Sequence, residues 1–335
     1  MGGRATGASA DDGIEGARGA GHIRRPAVRE ALARLGAALP APARGALWAI
    51  LGAAGIAIMT ALIRHTSHEL HPFVVGFFRS LFGLLIMMPW LMKVGLRGLK
   101  TKKLHLYLLR GTTGMIGLMT WFSAVAYIPV AEATALFFTS SLFATVLAIF
   151  VLGERVGPRR WGATLIGFAG VLVILRPGIV EPSYGAMLAL ASALTVGFSM
   201  TFVKLLSRTE PVFAIVTYMT IILTPLSLVP ALFFWQWPSL ATLGWLALLA
   251  GSGTIGHIGI TRAFGLADTT AILPFFYFQL PFVALIGFVA FAELPDIYTW
   301  LGAGVIASSS IYIAHREARA ARARGGDPPA PAAHT

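Results

Sequence analysis

Residues 130–152 read VAEATALFFTSSLFATVLAIFVL, an apolar run whose one charge, Glu132, sits in its first turn. As a helix rising 1.5 Å per residue it is about 34 Å long, enough to cross a hydrocarbon core of roughly 30 Å. Its opening, Ala131-Glu132-Ala133-Thr134-Ala135, returns as Ala267-Asp268-Thr269-Thr270-Ala271 at an offset of 136 residues. Past its end, Glu154 precedes Trp161 by seven residues and Glu293 precedes Trp300 by seven, the two pairs 139 residues apart. The run is therefore one of two related segments in a duplicated chain.

Outward from this run the same reading repeats. Charge, Pro and Gly divide the chain into spans near 45–64, 72–92, 105–126, 130–152, 158–175, 183–205, 211–234, 240–262, 268–291 and 296–314. Of all 335 residues 56% are hydrophobic and 12% charged, against roughly 25% charged in a soluble domain. Such a composition cannot clothe a globular surface, and the bilayer is the solvent.

Basic residues test the parsing. Seven lie in the N-terminal tail, five in loop 2-3, three in loop 4-5, two in loop 6-7, one in loop 8-9 and four in the C-terminal tail, 22 in all. The opposite side has Arg64 and Arg176 alone, and Arg79 and Arg110 lie inside spans. A positive-inside bias of this size puts both termini in the cytoplasm and the protein in the cytoplasmic membrane. The net charge of +12 thus has a topological meaning, and the absence of a continuous basic face argues against a nucleic-acid partner. The chain has no cysteine, which excludes disulfides, thiolate metal sites and cysteine nucleophiles.

The expected fold is an all-α membrane protein of ten transmembrane helices in two five-helix repeats, 45–175 and 176–314. Five is odd, so the repeats enter the membrane from opposite sides and are inverted. Residues 1–44 and 315–335, rich in Ala, Gly, Arg and Pro, read as disordered cytoplasmic tails. The N-terminal tail lacks an apolar stretch with a cleavage site, so no cleavable signal peptide is expected.

His71-Pro72 leading to Phe77-Phe78-Arg79, the Ala131–Ala135 segment, and Leu152-Gly153-Glu154-Arg155 closing span 4 resemble the drug/metabolite transporter superfamily, in its ten-helix EamA-type branch. The resemblance covers about 45 to 316. The second repeat departs from it at Phe291-Ala292-Glu293, which lacks the usual Gly-Glu-Arg. Spans 2 to 4 and 9 to 10 are similar in wording to branch members described as S-adenosylmethionine or riboflavin uptake carriers, and to metallophore and amino-acid exporters. The resemblance implies secondary transport of a small solute, with no cofactor, and leaves substrate and direction open.

An ionisable group inside a span is a functional candidate by default. Arg79 lies about two turns into span 2, roughly 10 Å deep. It is either a structural arginine satisfied by carbonyls or a carboxylate, or a substrate or gating contact. Arg110 heads a stripe with Gly114, Gly117 and Trp121 on span 3. The stripe lines a cavity or forms a packing seam. The equivalent face of span 8 reads Gly253, Thr254, His257, Thr261, with His257 aligned on Trp121. His257 is a candidate for substrate binding and, through its near-neutral pKa, for proton coupling.

Glu132 and Asp268 open spans 4 and 9, where each either complements its helix dipole or gates one door. Arg79 and Arg262 are their candidate counter-ions by depth. Below them come Thr139 and Ser140 in span 4 and Phe275, Phe276 and Gln279 in span 9, polar and aromatic groups that suit a small polar solute. Pro274 and Pro281 in span 9, and Pro225 and Pro230 in span 7, are expected to break their helices. The expected cavity is lined by spans 1, 3, 4, 6, 8 and 9.

His65, His68 and His71 form a three-residue ladder that drifts about 60° per step around a helix, so they read as an interfacial loop and not a metal site. Small-residue faces, Ala163 to Gly167 in span 5 and Ala303 to Ala307 in span 10, suit close helix contact and a homodimer through them. No P-loop, Gly-x-Ser-x-Gly, His-Glu-x-x-His or paired intramembrane aspartates occur. The expectation is a carrier in contact with membrane lipid; the rivals are a membrane-embedded enzyme and a receptor or scaffold.

Overall fold

The computed structural model describes residues 41–94, 101, 103–152, 158–179, 181, 183–207, 210, 212–266 and 274–323. Among the described residues the regular elements are all helices, eleven in number: α1 Ala41–Thr66, α2 Pro72–Val94, α3 Leu104–Tyr127, α4 Val130–Phe137, α5 Ser140–Leu152, α6 Pro158–Leu175, α7 Tyr184–Ser207, α8 Val212–Phe233, α9 Leu240–Leu266, α10 Gln279–Phe291 and α11 Ile297–Ala323. Five apolar stretches among them are long enough to cross a membrane: Ala43–Thr66, Pro72–Pro89, Leu240–Ile260, Pro274–Phe291 and Ile297–Arg316. Four shorter ones, in α4–α5, α6, α7 and α8, accompany them. α3 belongs to neither group, because Arg110 and its Gly and Thr neighbours dilute its hydropathy.

One expected break is corrected, and one that was not expected is found. Span 7 is one helix, α8, running through Pro225 and Pro230. Span 4 has no internal proline, yet it divides at Phe138–Thr139 into α4 and α5. Here the ladder tightens, with Thr139 N–H donating to Leu136 at 3.1 Å and Ser141 N–H to Phe138 at 3.4 Å. The Thr139 and Ser141 hydroxyls donate to the same two carbonyls, at 2.7 and 2.9 Å. Hydroxyls thus satisfy groups that a regular helix would have paired. Span 9 breaks as expected, at Tyr277–Phe278, where Phe278 N–H donates to Phe275 and Leu280 N–H to Tyr277. Pro281 has no N–H for the Tyr277 carbonyl, which Leu280 takes instead. The two breaks are 139 residues apart, the offset of the Glu–Trp pairs.

The tail boundaries also move. α1 begins at Ala41, with Pro42 in its first turn, where a missing N–H is harmless. α11 continues to Ala323 through His315-Arg-Glu-Ala-Arg-Ala-Ala-Arg-Ala, where Ala, Arg and Glu are strong helix formers. Residues 1–40 and 324–335 lie outside the described residues.

Packing runs chiefly between the halves. α1 lies along α9 and α3 along α7, α2 pairs with α8, and α6 pairs with α11. α4 and α5 lean on α7, while α10 leans on α1. Exchanging the halves exchanges these pairs or maps each onto itself. The α1–α9 seam brings backbone onto backbone: a Cβ on Gly55 would stand 2.9 Å from both the Gly256 nitrogen and the Ser252 oxygen, and one on Gly259 would stand 2.8 Å from the Trp48 oxygen. The small residues of α6 and α11 likewise meet within the chain, the Ser309 hydroxyl donating to the Ala163 carbonyl and Gly170 facing Gly302.

Candidate substrate site

α9 has two working faces. Ser252, Gly253, Gly256 and Gly259 turn toward α1, and Ile255 and Ile258 are exposed on the outside of the bundle. His257 lies midway along α9, a helix packed against α1 and α2. The charges of Arg79, from α2, and Arg110, from α3, both reach its imidazole. Both arginines, distant from it in sequence, thus lie within electrostatic reach of His257.

Arg110 is largely enclosed, and its Nε and Nη1 are buried with no hydrogen-bond partner among the described residues. The stripe it heads is divided in use. Gly117 forms a packing seam with α7, where a Cβ would fall 2.9 Å from Val196 Cγ2, and its carbonyl accepts from the Ser192 hydroxyl at 2.8 Å. A Cβ on Gly114 would make an ordinary contact with Ser199 Oγ, at 3.8 Å. Trp121 is buried with its ring 4.7 Å from that of Phe137 on α4. Thr254 and Thr261 continue the His257 side of α9 by position.

Thr139 and Ser140 are buried at the α4–α5 break, and the Thr139 hydroxyl is committed to the Leu136 carbonyl. Gln279, half-buried, opens α10 just beyond the second break. The breaks touch: the Phe138 and Tyr277 rings meet edge to face at 4.8 Å. The Tyr277 hydroxyl joins those of Ser141 and Ser310, which are 2.7 Å apart. Phe138, Ser141, Tyr277 and Ser310 escaped the sequence reading; the 139-residue offset that relates Phe138 to Tyr277 was the available signal.

Charge gathers again where loop 292–296 meets the first half. Arg64 ion-pairs with Glu293 at 3.0 Å and donates to the Val125 and Ala126 carbonyls at the end of α3. Glu293 also accepts the Val130 N–H, at 2.9 Å, so one carboxylate holds the ends of α1 and α4. Arg176 pairs with Asp296 at 2.8 Å and lies over the Tyr298 ring. Glu132 lies within electrostatic reach of this pair. Arg262 lies over the Trp48 ring, 4.7 Å from its centroid. Asp268 lies outside the described residues.

The histidine ladder is taken up in ring contacts. His65 meets Trp245 edge-on at 5.2 Å, and His71 stacks on Phe234 at 3.8 Å while its Nδ1 accepts from Phe73 N–H at 3.3 Å. Burial pushes the His71 imidazole below its usual 6.5. A depressed value means that the contact stabilises the fold above about pH 6.5 and weakens as acid protonates the ring. Wild type should therefore lose melting temperature between pH 7.5 and pH 5, and part of that loss should vanish in His71→Phe. Parallel pH profiles of the two proteins would contradict this.

The profile of the EamA-like transporter family matches residues 43–176 and again residues 183–314. The chain is 32% identical to a riboflavin transporter of Vibrio cholerae over 288 residues, 84% of this chain and 96% of that one. It is 29% identical to an S-adenosylmethionine uptake transporter of Rickettsia prowazekii, over 82% of this chain and 93% of that one. A solved crystal structure superposes with a TM-score of 0.57 at 22% identity, covering 83% of this chain and 98% of that one, a likeness of fold. With the family pattern twice along its length, the chain is a multi-pass membrane protein that belongs to the EamA-like transporter family.

Proposed function

We propose that the protein is a secondary carrier for a small polar metabolite in the cytoplasmic membrane, working by alternating access of two inverted five-helix repeats. The observation that carries this reading is the placing of three ionisable groups inside the helices, Arg79 and Arg110 within electrostatic reach of His257 and two Arg110 nitrogens buried without a partner among the described residues. The two-fold pattern of helix pairing supports ten spans and the inversion, and the contact between the two helix breaks supports a pivot near mid-membrane. The charge bias supports both termini inside, which makes the Arg64–Glu293 face the outer one, with that ion pair as the proposed latch. Glu132 and Asp268 are the proposed gate residues, and Trp121, Thr139, Ser140, Thr261 and Gln279 the further wall. Relatives that carry riboflavin and S-adenosylmethionine make these two solutes the first candidates.

The test is uptake of labelled riboflavin and S-adenosylmethionine into liposomes containing the purified protein. Hydrogen bonds to charged groups are worth about 1.5–3 kcal/mol, so Arg79→Ala or His257→Ala should lower flux roughly ten- to a hundredfold with insertion unchanged. Unaltered kinetics in both variants would remove these residues from the site. Saturable binding with no flux of any solute would favour the receptor reading.

A further inference from the structure

A pocket of about 380 Å³, open on one side, lies between the turn after α1, the end of α3 and the loop after α8. Ser67, His68, Glu69, His71, Tyr127 and Gln236 line it, and Arg79, Arg110 and His257 do not. Its volume falls within the range of small-molecule sites, roughly 300–1,000 Å³. With histidine counted neutral, Glu69 is the one formal charge among the described residues of the wall. Its Oε2 accepts the Thr242 hydroxyl, and the Thr242 N–H donates to Ser239 Oγ at 3.1 Å at the start of α9. The carboxylate is thereby fixed in place, yet no cation pairs with it among the described residues. Arg64, the nearest arginine along the chain, gives its charge to Glu293. Ser67 Oγ is buried without a hydrogen-bond partner among the described residues. The Tyr127 ring is more than half exposed and meets that of Tyr184 edge to face at 5.5 Å.

An uncompensated carboxylate, an open hydroxyl and an aromatic ring in one pocket suit an ammonium group, through an ion pair, a hydrogen bond and a cation–π contact. We propose that this pocket binds a small amine, its ammonium group paired with Glu69, Ser67 Oγ accepting a hydrogen bond from it and Tyr127 beside it. A carboxylate or phosphate would meet the like charge of Glu69. His68, Glu69 and His71 together invite a transition metal, but no three such side chains among the described residues are placed to hold one ion. The site is separate from the proposed central one and does not depend on the carrier reading. It does share a wall with the latch: Ala126 lines the pocket, and its carbonyl accepts from Arg64. An occupant therefore rests against the segment that Arg64 holds.

The chain has no cysteine, so Gln236→Cys puts a single thiol in the pocket wall of the purified full-length protein. Tyramine and 4-ethylphenol share a ring and a two-carbon arm and differ by the ammonium group. Tyramine should protect the thiol from maleimide at a half-saturating concentration about tenfold below that of 4-ethylphenol, the worth of one charge-assisted contact. Adding Glu69→Gln, which keeps an acceptor for Thr242, should bring the two probes to within about twofold of each other. Should that double variant fail to fold, Gln236→Cys alone still decides: 4-hydroxyphenylacetate, with a carboxylate on the same ring, should protect less well than 4-ethylphenol. No protection by tyramine, equal protection by tyramine and 4-ethylphenol, or better protection by the acid overturns the proposal. So does a preference for tyramine that survives Glu69→Gln, or protection by zinc ion in place of tyramine.

Discussion

Gly55→Leu should abolish recovery of folded protein, and Gly55→Ala should already lower its melting temperature. The space opposite Gly55 is filled by backbone: Gly256 N and Ser252 O at 2.9 Å and Gly256 Cα at 3.0 Å from where a Cβ would stand. Backbone cannot rotate aside as a side chain can. A methyl group there forces α1 and α9 apart and loosens the neighbouring contacts of Gly52 and Gly259. Overpacking of this kind costs about 1–3 kcal/mol for a methylene or two, and leucine adds more along the whole seam. Gly304→Ala serves as the control, because nothing lies within 4 Å of its added Cβ and alanine gains about 1 kcal/mol in helix propensity. Melting within a degree or two of wild type for Gly55→Leu, measured by size-exclusion recovery after heating, would refute the close approach.

The second large effect is expected at Glu293. Glu293→Gln removes the ion pair with Arg64 and weakens the hold on Val130 N–H, leaving Arg64 only its two carbonyls. Both side chains are mostly shielded, 20% and 15% exposed, so solvent screening is modest. At about 1.5–3 kcal/mol for contacts of this type, the closed arrangement of this end should weaken by ten- to a hundredfold. The natural chain has no cysteine, which gives a clean background for Ser123→Cys, buried just beneath the Arg64 contacts of α3. Its alkylation by an impermeant maleimide should speed up at least tenfold when Glu293→Gln is added. Equal labelling rates in the two backgrounds would mean that the pair does not hold this end closed.

What was legible in the sequence divides by the physics involved. Apolar length shows directly in composition, so the span boundaries were readable to within a few residues for α2, α3, α6 and α9. The break in span 4 was not, because Thr139 and Ser141 act through hydroxyls that cap carbonyls, and hydropathy sees them only as mildly polar. Pro225 and Pro230 misled in the opposite direction: each removes one N–H, yet α8 stays helical through both. Arg64 and Arg176 were set apart in the sequence as the basic residues on the sparsely charged side. Their partners, Glu293 and Asp296, lie more than a hundred residues further along the chain, and such a pairing is a product of the fold. Arg79, Arg110 and His257 were singled out as ionisable groups inside spans, and the fold then put both arginines within electrostatic reach of His257.

Phe138 and Tyr277 occupy equivalent positions in the two repeats and touch each other across the breaks. Were both phenylalanine, swapping the halves would reproduce the contact, and at this point the two ends of the proposed rocking cycle would be degenerate. The phenolic oxygen lifts that degeneracy. It meets the Ser141 and Ser310 hydroxyls, while Phe138 has no oxygen with which to make the mirror-image contact. In the proposed cycle the two ends therefore differ at this contact, and the difference lies in a single atom.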